Sequence, residues 1–464
     1  MSIQSIYEMS QEELANVSPT DFTEAYVKTH APLVEEWRKT PYLNPNNRNA
    51  PKMVGATQNE RDLNEARIAR LLQNTVDAVY PPTRGTDGGV KHVTAEAMLK
   101  RVEKQLPENS QLPESTLEFG EAASSATTSA WSGATLLPLV LGYARKIMPK
   151  MVVAQNFYQI QPLDKPQGRV FFITRARDNN GSTDGQIEQR AGWSYRSWVN
   201  DPGEGTAITK AVTFSISSAD VPTPTSHKLQ AQTTIEVEQD LRAYFGWDAV
   251  SLVSEIATDE MALELDEVLL YNLYRRGSVN GIGTFQFGNS SVPTQFQYDP
   301  SAYDKRVFEL LTRGSLNMYH QKRVTPNWFI SGTEWQVLLA NNSLYKTNTD
   351  NEMALSDFLS PVGTLKVGGG ISHYIAPLPF PTNEGIMGRK GSDYVDGNAF
   401  YLPYIPLQLT GVLYDPNTMK RTLSWISRYS IYNHAFSGLS ENYAYFKINN
   451  SMSGLSYPAT VEYV

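Results

Sequence analysis

WDAVSLVSEIATDEMALELDEVLLYNLYRR, residues 247–276, carries the strongest periodic signal in the chain. Val250, Val253, Ala257, Met261, Leu265 and Val268 recur at steps of three to four residues, the spacing that stacks side chains on one face of an α-helix. Glu255, Asp259, Glu260, Glu264 and Glu267 point in the other directions. The stretch therefore predicts a long helix with one side for a core and acidic sides for water. Gly277 is a poor helix former and is expected to end it. Just upstream, 237–245 predicts a shorter helix, with Gly246 as the break between the two.

On the N-terminal side of this helix, 170–174 has the β-branched and aromatic content of a strand, and Val212, Phe214 and Ile216 alternate with polar neighbours as a second. The polar, turn-rich 175–209 lies between them. A long loop held between two strands predicts a projecting β-hairpin. Its aromatics Trp193, Tyr195 and Trp198 either meet a partner molecule or fold back onto their own domain. Further upstream, 136–153 has helical spacing, while 115–133 is rich in Ala, Ser, Thr and Gly and reads as a linker. The first quarter of the chain predicts separate amphipathic helices. One starts at a capping box of Thr57 and Glu60, carries Ile68, Leu72, Val76 and Val79 on one face, and stops at Pro81-Pro82. Another starts near Thr94, with Met98, Val102 and Leu106 on one side. These stripes are narrow, so the helices should pack on something else, as an N-terminal arm would. On the C-terminal side, short helices alternate with strands such as Trp328-Phe329-Ile330. Segments 401–413 and 423–432 then predict two strands joined by a turn at Tyr414-Asp415-Pro416-Asn417-Thr418. The class is α+β.

Composition narrows the chemistry. The 464 residues include no Cys, which removes disulfides, thiolate nucleophiles and Cys-ligated metals. A formal net charge of -8 argues against a surface built to grip phosphates. No stretch is long and apolar enough to span a bilayer, and the polar N-terminus lacks the basic and apolar regions of a secretory signal. The run Gly368-Gly369-Gly370 lacks the Lys and Ser or Thr of a phosphate-binding loop and reads as a turn. His30, His92, His227, His320, His373 and His434 are dispersed, with no zinc-helix spacing. No Ser stands in a glycine-flanked elbow. Asn180, Ser182, Asp184, Gly185 and Ile187 match part of a calcium loop, but Ala191 stands where the bidentate Glu is required. No catalytic residue, cofactor or metal is expected.

Three segments, in order, resemble the major capsid proteins of T-even-like tailed phages: PKMVVAQNFYQIQPLDKPQGRVFFITR at 149–175; 227–265, with Gln239-Asp240-Leu241-Arg242-Ala243 and Phe245-Gly246-Trp247-Asp248-Ala249 ahead of the acidic helix; and Phe400-Tyr401-Leu402-Pro403-Tyr404-Ile405-Pro406-Leu407, followed by Arg428-Tyr429. The resemblance covers roughly the last two thirds of the chain. It implies a Hong Kong 97-type capsid fold, and with it the parts: an N-terminal helical arm (1–130), a peripheral domain (131–167, 218–299 and 400–464) with 247–276 as spine, an extended loop (168–217) and an axial domain (300–399). It further implies a virion protein assembled in a bacterial cytoplasm into hexamers and pentamers, with scaffold, portal and decoration or vertex proteins as partners. Packaged double-stranded DNA is met only non-specifically, and no membrane is involved. Contacts between subunits are expected at Trp193, Tyr195 and Trp198 on the loop and at Asp415, Asn417 and Lys420 near local three-fold axes. A pentameric vertex protein and an encapsulin-like nanocompartment share the fold and stand as alternatives.

Some members of this fold weld their shells through a lysine in the extended loop, but no Lys occurs between Arg175 and Thr209. The shell is therefore expected to hold by non-covalent contacts. T-even relatives lose an N-terminal segment to a protease that cuts after a hydrophobic-x-Glu triplet. Leu63-Asn64-Glu65, Leu106-Pro107-Glu108 and Leu112-Pro113-Glu114 match that pattern, yet the segment is expected to be retained.

Overall fold

The computed structural model describes residues 17–44, 57–100, 141–177, 212–287, 300–347, 359–433 and 443–448, with short gaps inside these ranges. In the first two of them, α1 (Pro19–Arg38) and α2 (Gln58–Val79) form a helix pair. The capping box that starts α2 is present: Thr57 Oγ1 accepts from Glu60 N, and Thr57 N donates back to Glu60 Oε2. Two short strands, β1 (Thr83–Arg84) and β2 (Val90–Lys91), follow. After α3 (Val152–Phe157) come β3 (Gln159–Ile160), β4 (Arg169–Arg177), β5 (Val212–Asp220) and β6 (Thr225–Thr234). The expected hairpin exists: β4 and β5 pair antiparallel from Arg169↔Asp220 to Arg177↔Val212. Its connecting residues, with Trp193, Tyr195, Trp198 and the partial calcium loop, lie outside the described residues.

Helices α4 (Ile235–Phe245) and α5 (Ala249–Asn280) realise the two helices read from 237–276. In two respects the structure corrects that reading. Gly277 does not end α5, which runs on to Asn280. Its role is close approach, because a Cβ there would sit 2.9 Å from both Cδ1 and Cγ2 of Ile386. The buried side is also rotated from the one expected. Val268 is 37% exposed, while Ser254, Thr258, Ala262, Asp266, Leu269 and Leu273 are buried beside Ala257, Met261 and Leu265.

Two sheets complete the chain. One has seven strands in the order β7 (Thr284–Phe287), β15 (Ala444–Ile448), β12 (Glu384–Gly388), β8 (Trp328–Ser331), β11 (Ile371–Ile375), β10 (Pro361–Leu365) and β9 (Tyr345–Thr347). Helices α6 (Pro300–Lys322) and α7 (Thr333–Ala340) cover it. Val307, Leu311 and Met318 of α6 and Trp335 and Leu339 of α7 share a core with Phe329, Met387 and Phe446. Trp335 meets Phe329 and Phe446 edge-on, at 5.6 and 5.9 Å between ring centroids. Each such ring contributes about 1.5–3 kcal/mol by leaving water. Of the run 368–370 read as a turn, Gly368 and Gly369 lie outside the described residues, while Gly370, just ahead of β11, has φ +98, a backbone angle that suits a residue without Cβ.

The second sheet has the order β3-β13-β14-β6, built on the long hairpin β13 (Ala399–Asp415) and β14 (Lys420–Asn433). Both strands are longer than the sequence reading, and their pairing shifts register between Pro403 and Ile405, between Ile405 and Gln408 and between Leu409 and Val412. Against this sheet lie α5 and the N-terminal pair. Phe22, Tyr26, Leu72 and Val76 belong to the same core cluster as Met261, Leu265, Tyr401 and Trp425. Helices α1 and α2 therefore find their packing partner within their own chain.

Candidate assembly surface

Inside the subunit, buried amides tie distant segments to the foot of the β4–β5 hairpin. Gln161 donates through Nε2 to the carbonyls of Phe171 (2.8 Å) and Tyr394 (3.0 Å), and its Oε1 accepts from Phe171 N at 3.1 Å. Asn74 of α2 donates to the carbonyls of Leu163 at 2.7 Å and Tyr404 at 2.9 Å. Buried polar groups cost free energy unless paired, so each amide fixes the spacing of the segments it joins. Phe22 of α1 packs on Phe171 at 5.1 Å, and Phe172 stacks on Tyr432 at 5.9 Å. The hairpin foot is thus held by α1, by β14 and by the segment that carries Gln161.

Asp266 is the one acidic residue of α5 buried to 1% exposure. Its carboxylate accepts from the backbone N–H of Val153 (3.2 Å) and Ala154 (3.4 Å) at the start of α3. Burial pushes its pKa up to about 7 despite those donors. Periodicity could not single out Asp266, because its partners lie more than a hundred residues upstream.

The dispersed histidines find unrelated settings. His227 on β6 contacts Glu264 on α5 at 2.5 Å, and His92 contacts Asp77 at 2.8 Å. His373 is brought to Ser331, 2.6 Å from its Oγ to Nε2, while Tyr345 OH lies 2.9 Å from Nδ1. A serine beside an imidazole invites comparison with a hydrolase, but Ser331 and His373 are both at 0% exposure and burial holds the imidazole pKa down to about 3. A core hydrogen bond accounts for the pair, since a nucleophile must be reachable by substrate. Among the described residues, no group of three His, Asp or Glu side chains could hold a metal, and no helix is long and apolar enough to cross a membrane.

Of the expected contact residues, Asp415 and Lys420 close the β13–β14 hairpin as opposed partners, and Lys420 also pairs with Thr234 at the end of β6. Asn417 lies outside the described residues. A surface signal that the sequence reading did not collect lies on helices: Val237 and Tyr244 on α4, Ile256, Leu263, Val268 and Tyr271 on α5, and Leu316 and Tyr319 on α6 are exposed.

An α+β chain that shows large apolar side chains on the outer faces of its helices has the surface of an assembling structural subunit. The model of the Gp23 major capsid protein family matches residues 189–456, and the chain belongs to that family. It is 23% identical over 331 residues to the major capsid protein of Salmonella phage ViI, covering 59% of this chain and 71% of that one. Among solved structures it is similar to a chain of Microbacterium phage Oxtober96, with 11% identity, TM-score 0.38, and 64% and 90% of the two chains covered. It is also similar to a chain from the capsid of Myoviridae phage XM1, with 9% identity, TM-score 0.37, and 64% and 92% covered.

Proposed function

We propose that this chain is the shell subunit of a tailed-phage head, a virion protein that self-assembles around double-stranded DNA. The family match over 189–456 carries the reading. That family is named for the major capsid protein, which favours this role over a vertex protein or a nanocompartment. In this reading 1–130 is the N-terminal arm, 168–217 the extended loop, 300–399 the axial domain, and the remainder the peripheral domain with α5 as its spine. Scaffold, portal and decoration or vertex proteins are its proposed partners, and its contact with DNA is non-specific.

Purified protein expressed alone or with its scaffold should form closed particles in electron micrographs. Particles that contain cargo enzymes, or the protein at only a few copies per virion, would overturn the reading. Trp193, Tyr195 and Trp198 are proposed as anchors on a neighbouring subunit. Replacing all three by Ser should lower the yield of particles at least tenfold while the free subunit keeps its far-UV spectrum. Unchanged yield would mean that the aromatics pack on their own domain.

A further inference from the structure

Strand β6 forms an open sheet edge of unusual regularity. Its ten residues pair with β14 from Thr225↔Tyr429 to Thr234↔Lys420 without a bulge, and among the described residues nothing pairs with its other side. At about 3.3 Å per residue that edge is roughly 33 Å long. Proteins blunt such edges with prolines, bulges, short strands or charges. Here the strand TSHKLQAQTT has no proline and Lys228 as its only formally charged residue. Beside it lies the exposed side of α5, where Ile256 is 59%, Leu263 41% and Tyr271 61% exposed. Glu264, at the margin of that side, reaches His227 on β6, so the exposed side of α5 and the open edge are neighbours.

We propose that two copies of the chain pair β6 with β6 antiparallel about a two-fold axis at Gln230. Their four-stranded sheets then join into one of eight strands, with both α5 helices on the same face. The inference rests on the shell reading only in requiring a second copy. Side-chain chemistry favours that occupant. With Gln230 on the axis, Lys228 faces Gln232, Leu229 faces Ala231, Ser226 faces Thr234 and His227 faces Thr233, so no like charges are opposed. A two-fold contact also uses one patch twice and closes on itself. Nucleic acid is disfavoured at this place, because Glu260 and Glu267 share the exposed side of α5 and would repel phosphates. Between two copies, moderate salt screens these carboxylates.

The chain has no Cys, so a single introduced cysteine can form a disulfide only with another copy. Lys228→Cys, Gln230→Cys and Gln232→Cys, all at exposed positions, are compared in the full chain with Leu316→Cys, exposed on the distant α6. After mild oxidation, non-reducing electrophoresis should show a dimer for Gln230→Cys at least tenfold more abundant than for Leu316→Cys. No dimer from any β6 position, or equal dimer from all four variants, overturns the pairing. Micrographs of the same samples separate the two ideas: shells without a β6 cross-link sink the pairing alone, and a β6 cross-link without shells sinks the shell reading alone.

Discussion

Asp266 and Gly277 show how much a single position on a long helix depends on a distant neighbour. The Asp266 pKa is raised from 3.8 to about 7 in the folded chain. Between those values the folded state holds a proton that the unfolded state has released, so stability falls as pH rises, by at most about 1.4 kcal/mol per pH unit. The contribution is fully present below about pH 4 and is lost as pH passes about 7. Asp266→Asn should flatten that part of the profile in urea denaturation of the free subunit. A profile identical to that of the parent would show that Asp266 does not titrate there. For Gly277→Ala, better helix propensity favours the variant by about 1 kcal/mol, while a contact forced on Ile386 costs about 1–3 kcal/mol. Net destabilisation is expected. Combining it with Ile386→Ala should give a coupling of about 1–2 kcal/mol in a double-mutant cycle, and strict additivity would rule out the clash.

Helix α2 was legible in its ends and its apolar stripe and opaque in its buried polar residues. The Thr57 capping box, the stop before Pro81-Pro82 and the stripe of Leu72 and Val76 follow from local spacing. The burial of Gln73 and Asn74 does not, because it is set by backbone carbonyls that folding brings in from other segments. This packing bears on processing. Leu63-Asn64-Glu65 lies inside α2, with Leu63 at 4% exposure and Glu65 held by Arg38 through a two-point pair at 2.7 and 2.6 Å. A protease needs an extended, reachable substrate segment, and cutting here would require unwinding the helix. Subunits from mature particles should therefore not have been cut at this triplet, and a mature N-terminus at Ala66 would refute this. Thr57→Ala should cost the subunit about 1 kcal/mol in thermal or chemical denaturation.

For the assembled shell, the absence of Cys and of Lys between Arg175 and Thr209 leads to a direct expectation: particles boiled in detergent without reductant should run as monomer. A ladder of covalent oligomers would exclude a purely non-covalent shell. The α+β class, the long helix α5 and the two hairpins were all legible along the chain. They rest on side-chain periodicity, turn chemistry and residue counts, which are local or additive properties. Four things were not legible: the docking of α1 and α2 on their own sheet, the burial of Asp266, the Ser331–His373 contact, and the open edge of β6 beside the exposed side of α5. Each depends on which segments meet after folding, and the pairing of residues far apart in the chain leaves no periodic trace in the sequence.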